Sequence, residues 1–215
     1  MEVLAKSQRQ TRINGEITRS KILDAAETLF GTRGFDAVSL REITERAEVT
    51  LALASYHFGT KEQLFEDVIA RRAAILCGQR IERLEALADP DVETIIDSFM
   101  SPMFEMATSG EPGWNDYFKL LSRLGDGNQW LDVLTRHFDA TAKRYIAVLI
   151  EAMPNAKPGD VVRAFTMMLN LMLATVSQHA RIDRLTDGEL KAADLTSAYK
   201  PLLKFVVAGM KSINP

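Results

Sequence analysis

The chain has 215 residues, of which 47% are hydrophobic and 26% are charged. This length fits one large domain or two modest ones, and this composition excludes a chain that is disordered or of low complexity over most of its length. The 26 basic and 29 acidic residues give a net charge of −3. By itself this balance argues against a nucleic-acid-binding protein, because such proteins usually carry a basic excess.

The charge is unevenly distributed along the chain. Residues 1–61 contain 9 basic and 8 acidic residues, whereas residues 62–215 contain 17 basic and 21 acidic residues. The first 21 residues alone carry 5 basic side chains against 2 acidic ones. We therefore expect residues 1–17 to form a flexible basic arm in front of a more acidic body.

Neither secretion nor membrane insertion is expected. The single cysteine, Cys77, cannot form an internal disulfide and has no Cys or His at metal-binding spacing around it, which fits a reducing, cytoplasmic setting. The first residues lack the apolar segment of a signal peptide. The longest nearly apolar run, residues 164–176, is interrupted by polar side chains and is shorter than the ~20 residues that a membrane span needs.

Helical periodicity extends over almost the whole chain, and no alternating strand of five or more residues is found. The sequence therefore predicts an all-α protein with about nine helices. The predicted helices cover about residues 18–32, 39–47, 51–57, 60 to beyond 76, 92–108, 114–124, 129–153, 160–182 and 196–211, with a short helical turn that starts at Thr186.

The second, third and fourth predicted helices have clear start signals. Ser39 and Glu42 match a capping box, Thr50 can cap the third helix, and Thr60 with Gln63 matches a second box. Two short helices joined by a tight turn and packed on a longer first helix form a helix-turn-helix unit. This geometry is used to read DNA.

Three short stretches in this region carry a family resemblance. They read Ser-Leu-Arg-Glu-Ile at residues 39–43, Ala-Glu-Val-Thr at 47–50 and Tyr-His-Phe-Gly-Thr-Lys-Glu-Gln-Leu at 56–64. Residues 18–65 resemble the DNA-binding domain of the tetracycline-repressor (TetR) family of bacterial regulators, and the rest resembles the family only in the number and length of its helices. The resemblance implies an N-terminal three-helix DNA-binding domain at residues 18–64 and a larger helical effector-binding and dimerisation domain at residues 65–215.

The third helix is predicted to lie in the major groove, which requires short side chains near its start and hydrogen-bonding groups further along. Two leucines are unusual there: they contact thymine methyl groups, or Leu53 belongs to the core instead. The resemblance also places Ser39 and Arg41 on the phosphate backbone, with a solvated charge as the alternative for Arg41. The predicted DNA contacts are Ser39, Arg41, Thr50, Leu51, Ala52, Leu53, Ser55, Tyr56, His57 and Lys61.

The chain departs from the family pattern at the turn between the second and third helices. Glu48 stands where the family usually has Gly, and a residue with a Cβ in a left-handed turn costs about 1 kcal/mol. Glu48→Gly is therefore expected to raise thermal stability without weakening operator binding. Ala52 replaces a frequent Gly and Ser55 a frequent Tyr, so the base preferences of relatives do not transfer to this chain.

The helix predicted at residues 160–182 has apolar side chains on all its faces, which is typical of a helix that is buried on all sides. The family packs its last two long helices against their copies, and the resemblance therefore implies a homodimer that reads a pseudo-palindromic operator. The predicted dimer-interface residues are Phe165, Leu169, Leu173, Val176, Leu202, Phe205, Val206 and Met210.

Aromatic and methionine residues are concentrated in the middle helices. Methionine tolerates repacking and suits a pocket for a small hydrophobic or amphipathic effector. The Tyr-His-Phe-Gly-Thr-Lys stretch is similar to that of family members that sense fatty-acyl or aromatic compounds, and this resemblance implies an effector of acyl or aromatic character. Taken singly, each residue also fits an ordinary core. The predicted pocket residues are Phe99, Met103, Phe104, Trp114, Tyr117, Phe118, Leu121, Trp130, Phe138, Met168 and Met172.

No sequence motif supports catalysis. A phosphate-binding loop, a dinucleotide fingerprint, a zinc-binding His-Glu pair and a nucleophile elbow are all missing from the sequence, and the three histidines have no partner at a telling spacing. We therefore expect no catalytic residue, cofactor or metal. The predicted function is that of a DNA-binding repressor that an effector releases from its operator. The alternative is a DNA-binding protein whose body serves only for dimerisation.

Overall fold

The computed structural model describes residues 2–124 and 128–214, and the side chains from Arg12 onward. All regular secondary structure in these ranges is helical, which confirms the predicted class. The described part of the chain has ten helices: α1 (Glu2–Arg33), α2 (Leu40–Arg46), α3 (Leu51–Phe58), α4 (Lys61–Glu85), α5 (Val92–Thr108), α6 (Trp114–Leu124), α7 (Leu131–Ala152), α8 (Pro158–Val176), α9 (Arg181–Leu185) and α10 (Leu195–Ser212).

The chain divides into two compact units, Met1–Arg71 and Arg72–Pro215. The division falls inside α4, which begins in the first unit and ends in the second. The boundary that the sequence suggested, between residues 64 and 65, lies earlier in the same helix.

The first unit contains three helices that pack on one another, because α1 contacts both α2 and α3, and α2 contacts α3. Both predicted capping boxes are present. The Glu42 backbone N–H donates to the Ser39 hydroxyl, and the Glu42 carboxylate accepts from the Ser39 N–H at 2.8 Å. Thr60 and Gln63 exchange the equivalent pair of bonds at the start of α4. These local bonds start α2 and α4 where the sequence predicted.

The first helix is longer than predicted. We expected residues 1–17 to form a flexible arm, whereas α1 begins at Glu2. Local contacts are present in this helix from Arg12 onward. The Arg12 guanidinium lies 3.7 Å from the Glu16 carboxylate one turn further on, and the Thr18 hydroxyl donates to the Asn14 carbonyl at 2.9 Å.

The second unit is a layered helical bundle. Helix α10 packs against α5 and α8, α6 packs against α8, and α7 contacts both α5 and α8. Helix α5 is buried along most of its length and continues through Pro102. The buried side chains of α5, α6 and α8 include the aromatic residues Phe99, Phe104, Trp114, Tyr117, Phe118 and Phe165.

The region after α8 differs from the prediction. The sequence predicted a helix at residues 160–182, but α8 ends at Val176 and Gln178 has a left-handed backbone with φ of 56°. A short helix, α9, follows and ends before Thr186. Thr186 was predicted to start a helical turn, whereas its hydroxyl accepts from the Leu190 N–H in the loop after α9.

Helix α8 combines 19 residues with high hydropathy, and by length and composition alone it is the one described helix that could cross a membrane. Only 28% of its apolar window is buried inside the chain. The core helix of a globular bundle passes the same test of length and hydropathy. What distinguishes α8 is therefore the large apolar fraction of its exposed side.

The turn between α2 and α3 forces Glu48 into the left-handed region. Its φ is 56°, and its backbone N–H donates to the Glu45 carbonyl while the next residue, Val49, bonds back to Thr44. The left-handed conformation predicted from the missing glycine is thus confirmed. Because Glu48 is exposed, no burial of its side chain offsets the backbone cost.

We expect Glu48→Gly to raise the free energy of unfolding by about 1 kcal/mol, since glycine adopts positive φ without the Cβ penalty. The measurement is chemical or thermal denaturation followed by circular dichroism. Glu48→Ala is the matched control, because it removes the carboxylate and keeps the Cβ. An equal gain in both variants would assign the effect to charge and would contradict the backbone argument.

Candidate functional site

Helix α3 has one buried face and one exposed face. Ala54 and Phe58 are buried in the first unit. On the opposite face, Leu53 is 41% exposed and Tyr56 is 82% exposed, and Leu51 is exposed beside them. The sequence left Leu53 open between a base contact and the core, and the structure places it on the exposed face.

The first turn of α3 carries only short side chains between its exposed leucines. Thr50 caps the helix by accepting from the Leu53 N–H at 3.4 Å. Ala52 and Ser55 are exposed on the same helix. A surface of small side chains with a hydroxyl among them allows the backbone of α3 to approach the edges of base pairs.

The start of α2 is held by Ser39, which the sequence assigned to phosphate, together with Glu42 and Arg33. The Ser39 hydroxyl is bonded to the Glu42 carboxylate at 2.8 Å, and the Arg33 guanidinium donates to the same carboxylate at 2.7 Å. The bond from the Ser39 N–H, together with Arg33, lowers the pKa of Glu42 to about 2. The first role of Ser39 is therefore to begin α2.

Arg41, by contrast, is available to an incoming phosphate. Its side chain is highly exposed, and its Nε lies 3.2 Å from the Glu45 carboxylate one turn away. A pair of this kind at the surface contributes little to stability. Exchanging Glu45 for a phosphate oxygen therefore costs little free energy.

Lys61 is bonded inside the first unit. Its ammonium donates to the carbonyls of Phe35 and Val38, at 3.1 and 2.9 Å, and it lies 4.0 Å from the centre of the Phe35 ring. We had predicted that Lys61 reaches phosphate. A lysine ammonium has three donor positions. Lys61 uses two of them to tie the start of α4 to the loop before α2. Sequence reasoning missed this role, since the partners lie more than twenty positions away.

Tyr56 and His57 adjoin each other at the end of α3. Their rings meet edge to face with centres 5.3 Å apart. His57 is half-buried, whereas Tyr56 points into solvent. The Tyr56 hydroxyl is therefore accessible from solvent.

A cavity of about 340 Å³ opens between α1 and the end of α2. It is lined by two basic residues, Lys21 and Arg46, and two acidic ones, Asp24 and Glu48. The opposite charges balance, so this cavity has no net attraction for an anion. The exposed face of α3 with Arg41 is the better candidate for a nucleic-acid interface.

The predicted effector-pocket residues lie in the second unit and are mostly buried. Trp114 stacks on Phe118 with ring centres 5.4 Å apart, and Phe99 meets Phe165 edge to face at 5.0 Å. Trp130 and Phe138 are only half-buried. The remaining residues of the predicted set that are buried are Met103, Phe104, Tyr117, Leu121, Met168 and Met172.

The predicted dimer-interface residues fall into two groups. Leu169, Leu173 and Leu202 are partly exposed and Phe205 is 69% exposed. The other four lie in the core of their own chain, which removes them from any surface that a second copy can contact; they are Phe165, Val176, Val206 and Met210. The sequence did not distinguish these four from exposed positions, because an all-apolar helix does not reveal which of its faces is turned inward.

The outward face of α8 includes apolar residues that the sequence-based set omitted. Met167 is 62% exposed, and Val162 and Leu171 are also exposed. This face is formed at helical spacing by Arg163, Met167, Asn170, Leu171 and Ala174. The spacing was available in the sequence, but only the packing of α8 against α6 and α10 identifies the free side.

Two family models match the chain. Residues 22–68 match the model described as bacterial regulatory proteins of the tetR family, and residues 97–209 match the tetracyclin repressor-like C-terminal domain. The HTH-type transcriptional repressor Rv3405c of Mycobacterium tuberculosis is 30% identical over 144 residues, which are 67% of this chain and 73% of that protein.

Solved structures share the fold at low identity. SCO4454, a TetR-family transcriptional regulator of Streptomyces coelicolor, gives a TM-score of 0.62 at 16% identity and covers 93% of this chain and 97% of its own. The fatty acid degradation regulator FadR of Bacillus halodurans gives a TM-score of 0.61 at 16% identity, over 89% of this chain and 95% of its own.

The capped short helices and the exposed face of α3 define a DNA-binding protein of the helix-turn-helix class. Both units of the chain match one family, and the sequence resemblance is confirmed. The chain belongs to the TetR family. Because the family and the relatives consist of transcriptional regulators, the protein is a transcriptional regulator and not an enzyme.

Lys61→Met keeps the apolar stem and removes both hydrogen bonds to the loop. We expect the free energy of unfolding to fall by about 2 kcal/mol, since bonds from a charged donor are among the stronger ones. The dependence of log affinity for DNA on log salt should keep its slope, because no phosphate contact is lost. Arg41→Met is the comparison: it should leave stability unchanged and reduce the slope by about 0.9 for each phosphate contact removed. A reduced slope with unchanged stability for Lys61→Met would make Lys61 a phosphate ligand.

Proposed function

We propose that this protein is a repressor that binds a pseudo-palindromic operator as a homodimer and is released by a small hydrophobic or amphipathic effector. The observation that carries the proposal is the exposed face of α3, with Leu51, Ala52, Ser55 and Tyr56 turned outward on a helix whose other face is buried. A repressor that meets operator DNA works in the cytoplasm.

The division of roles on the first unit follows from its contacts. Leu51 and Leu53 meet thymine methyl groups, and Ser55 supplies a hydroxyl for base edges. Arg41 and Tyr56 contact phosphates and fix the position of α3 in the groove. Ser39, Thr50 and Lys61 hold the helices in place through the bonds described above, and His57 supports Tyr56.

Dimerisation uses the outward apolar faces of α8 and α10. Met167, Leu171 and Phe205 are large apolar side chains exposed on these two helices, and exposed apolar patches of this kind mark interaction surfaces. A two-fold axis between two copies brings the same face of each into contact. The resulting dimer presents two copies of α3 to successive turns of the major groove.

The effector acts by shifting a population. Helix α4 runs without interruption from the reading unit into the body, so a ligand bound in the body can change the placement of α3 through it. The ligand must bind the form that does not fit DNA more tightly, because equal affinity for both forms shifts nothing.

A second candidate function is DNA binding without an effector. The contacts among Phe99, Phe165, Trp114 and Phe118 are those of an ordinary packed core, and this packing favours a body that serves only for dimerisation. An apolar compound that binds the body and lowers affinity for the operator excludes this candidate.

We expect the protein to retard DNA taken from upstream of its own gene in a gel-shift assay. Raising the salt from 50 to 200 mM should weaken binding by at least about 100-fold despite a sequence pI near 5.7. Arg41→Ala and Tyr56→Ala should each weaken binding. Lys143→Ala, which changes an exposed cation on α7, is the control and should bind as the unmodified protein does. Failure to retard any upstream fragment at low salt would contradict the proposal.

We expect Phe205→Asp and Met167→Asp to convert the dimer into a monomer of 24.0 kDa. A charge on a face that becomes buried in the dimer has no counter-ion there and opposes association. Size-exclusion chromatography with light scattering measures the mass. Leu131→Asp alters another exposed apolar residue, at the start of α7, and should leave the dimer intact. A dimer that persists in both α8 and α10 variants would exclude this interface.

A further inference from the structure

The body contains a buried arginine that pairs with no carboxylate among the residues the structure describes. Arg80, on α4, is only 4% exposed. Its Nε donates to the Phe99 carbonyl at 2.9 Å, and its guanidinium lies 3.8 Å from the centre of the Phe99 ring. Its Nη2 is buried without a hydrogen-bond partner. In the part of the chain that the structure describes, no Asp or Glu forms an ion pair with Arg80.

The neighbouring arginine on the same helix shows the ordinary arrangement. Arg83 donates to both carboxylate oxygens of Glu105 and to the Ser101 hydroxyl. These bonds raise the pKa of Arg83. Arg80 lies one turn earlier and is deeper in the body, where a counter-ion matters most, yet none of the described carboxylates pairs with it. The missing partner is therefore a specific feature of position 80.

The described surroundings of Arg80 offset its charge only in part, through the face of the Phe99 ring and the nearby Cys77. Burial lowers the pKa of Arg80 to about 10, so the guanidinium remains a cation at neutral pH. The Tyr145 hydroxyl donates to the Arg80 carbonyl at 2.6 Å, and burial raises the pKa of Tyr145, so this phenol is neutral and supplies no negative charge. A cation removed from water in this way is unfavourable until an anion joins it.

We propose that Arg80 is the anion-binding group of the effector site, and that the effector is an organic carboxylate with an apolar body. This inference rests on the proposed function and names the chemical class of its ligand. The carboxylate pairs with Nη2 of Arg80, since a guanidinium presents donors in a plane that matches a carboxylate. The effector thereby supplies the charge that the protein lacks.

The surroundings of Arg80 favour an organic anion over a small inorganic one. The rings of Phe99 and Tyr145 meet at 4.8 Å, and Phe165 packs on Phe99. Tyr117 is fully buried and close enough to affect the charge on Arg80. An apolar ligand body that separates these packed rings gains free energy by leaving water, which a hydrated phosphate or chloride ion does not.

The position of Arg80 also links the ligand to the reading unit. Arg80 and Lys61 lie on the same helix, and Lys61 holds the start of that helix against the loop before α2. A carboxylate bound to Arg80 therefore acts directly on α4. No intermediate relay of side chains is required.

The test compares matched charged and neutral probes on the full-length protein. Octanoate and benzoate are titrated against octanamide and benzamide, in chloride-free buffer, with thermal shift and isothermal titration calorimetry as readouts. We expect each carboxylate to bind at least ten-fold more tightly than its amide and to raise Tm. In Arg80→Met, which keeps the volume and removes the charge, this ratio should fall to about one, while the ligand-free Tm stays equal or rises. Arg83→Met, at the neighbouring half-buried arginine that already has a carboxylate partner, should keep the ratio.

A second variant keeps the test decisive if Arg80→Met does not fold. Arg80→Lys retains the charge without the planar donors, and it should bind carboxylates with a reduced but measurable preference over amides. Equal binding of carboxylate and amide by the unmodified protein overturns the proposal. So does a carboxylate preference that survives in Arg80→Met, or a full stabilisation by inorganic phosphate or chloride alone.

A gel shift with the same four probes separates this inference from the proposed function. Release of the operator by the carboxylates alone supports both. Arg80-dependent binding of carboxylates without operator release leaves the binding site standing and removes its regulatory role. Release by the amides, with no effect of the carboxylates, leaves the effector mechanism standing and overturns the assignment of Arg80.

Discussion

The first unit depends on ties that hold two very short helices. Helices α2 and α3 have 7 and 8 residues, whereas an isolated helix needs about 12 or more to be stable in water. Their stability must therefore come from caps and from contacts with the rest of the unit. Glu42 joins the cap residue Ser39 to Arg33 of α1, and Lys61 joins α4 to the loop that precedes α2. The exposed face of α3 keeps its orientation only while these ties hold.

Many charged side chains of this protein form ion pairs within their own part of the chain. The net charge of the whole chain is therefore a poor guide to the partner it binds. Several basic groups of the first unit are engaged within it: Arg33 with Glu42, and Arg19 with Asp67. Arg41 has only an exposed, weak partner. The excess of acidic residues lies in residues 62–215. A net charge of −3 is thus compatible with a surface that binds phosphate.

Two helices of the second unit have one buried side and one exposed apolar side. Helices α8 and α10 each have one side in the core and another side with large exposed apolar groups such as Met167 and Phe205. The buried side stabilises the protomer, whereas the exposed apolar groups are unfavourable unless another surface covers them. Arg80 is the reverse case, a charge placed where apolar groups dominate. Both features are costly for an isolated protomer, and the two proposed partners, a second copy for the apolar faces and an anion for the arginine, would offset these costs.

The sequence by itself determined the helical class, the family, the caps at Ser39 and Thr60 and the left-handed turn at Glu48, because each of these depends on residues only a few positions apart. Only the tertiary structure decided that Lys61 is bonded to the loop before α2 and that Arg80 is buried away from every described carboxylate. These outcomes depend on residues brought together from distant parts of the chain, and on which face of each helix its neighbours cover.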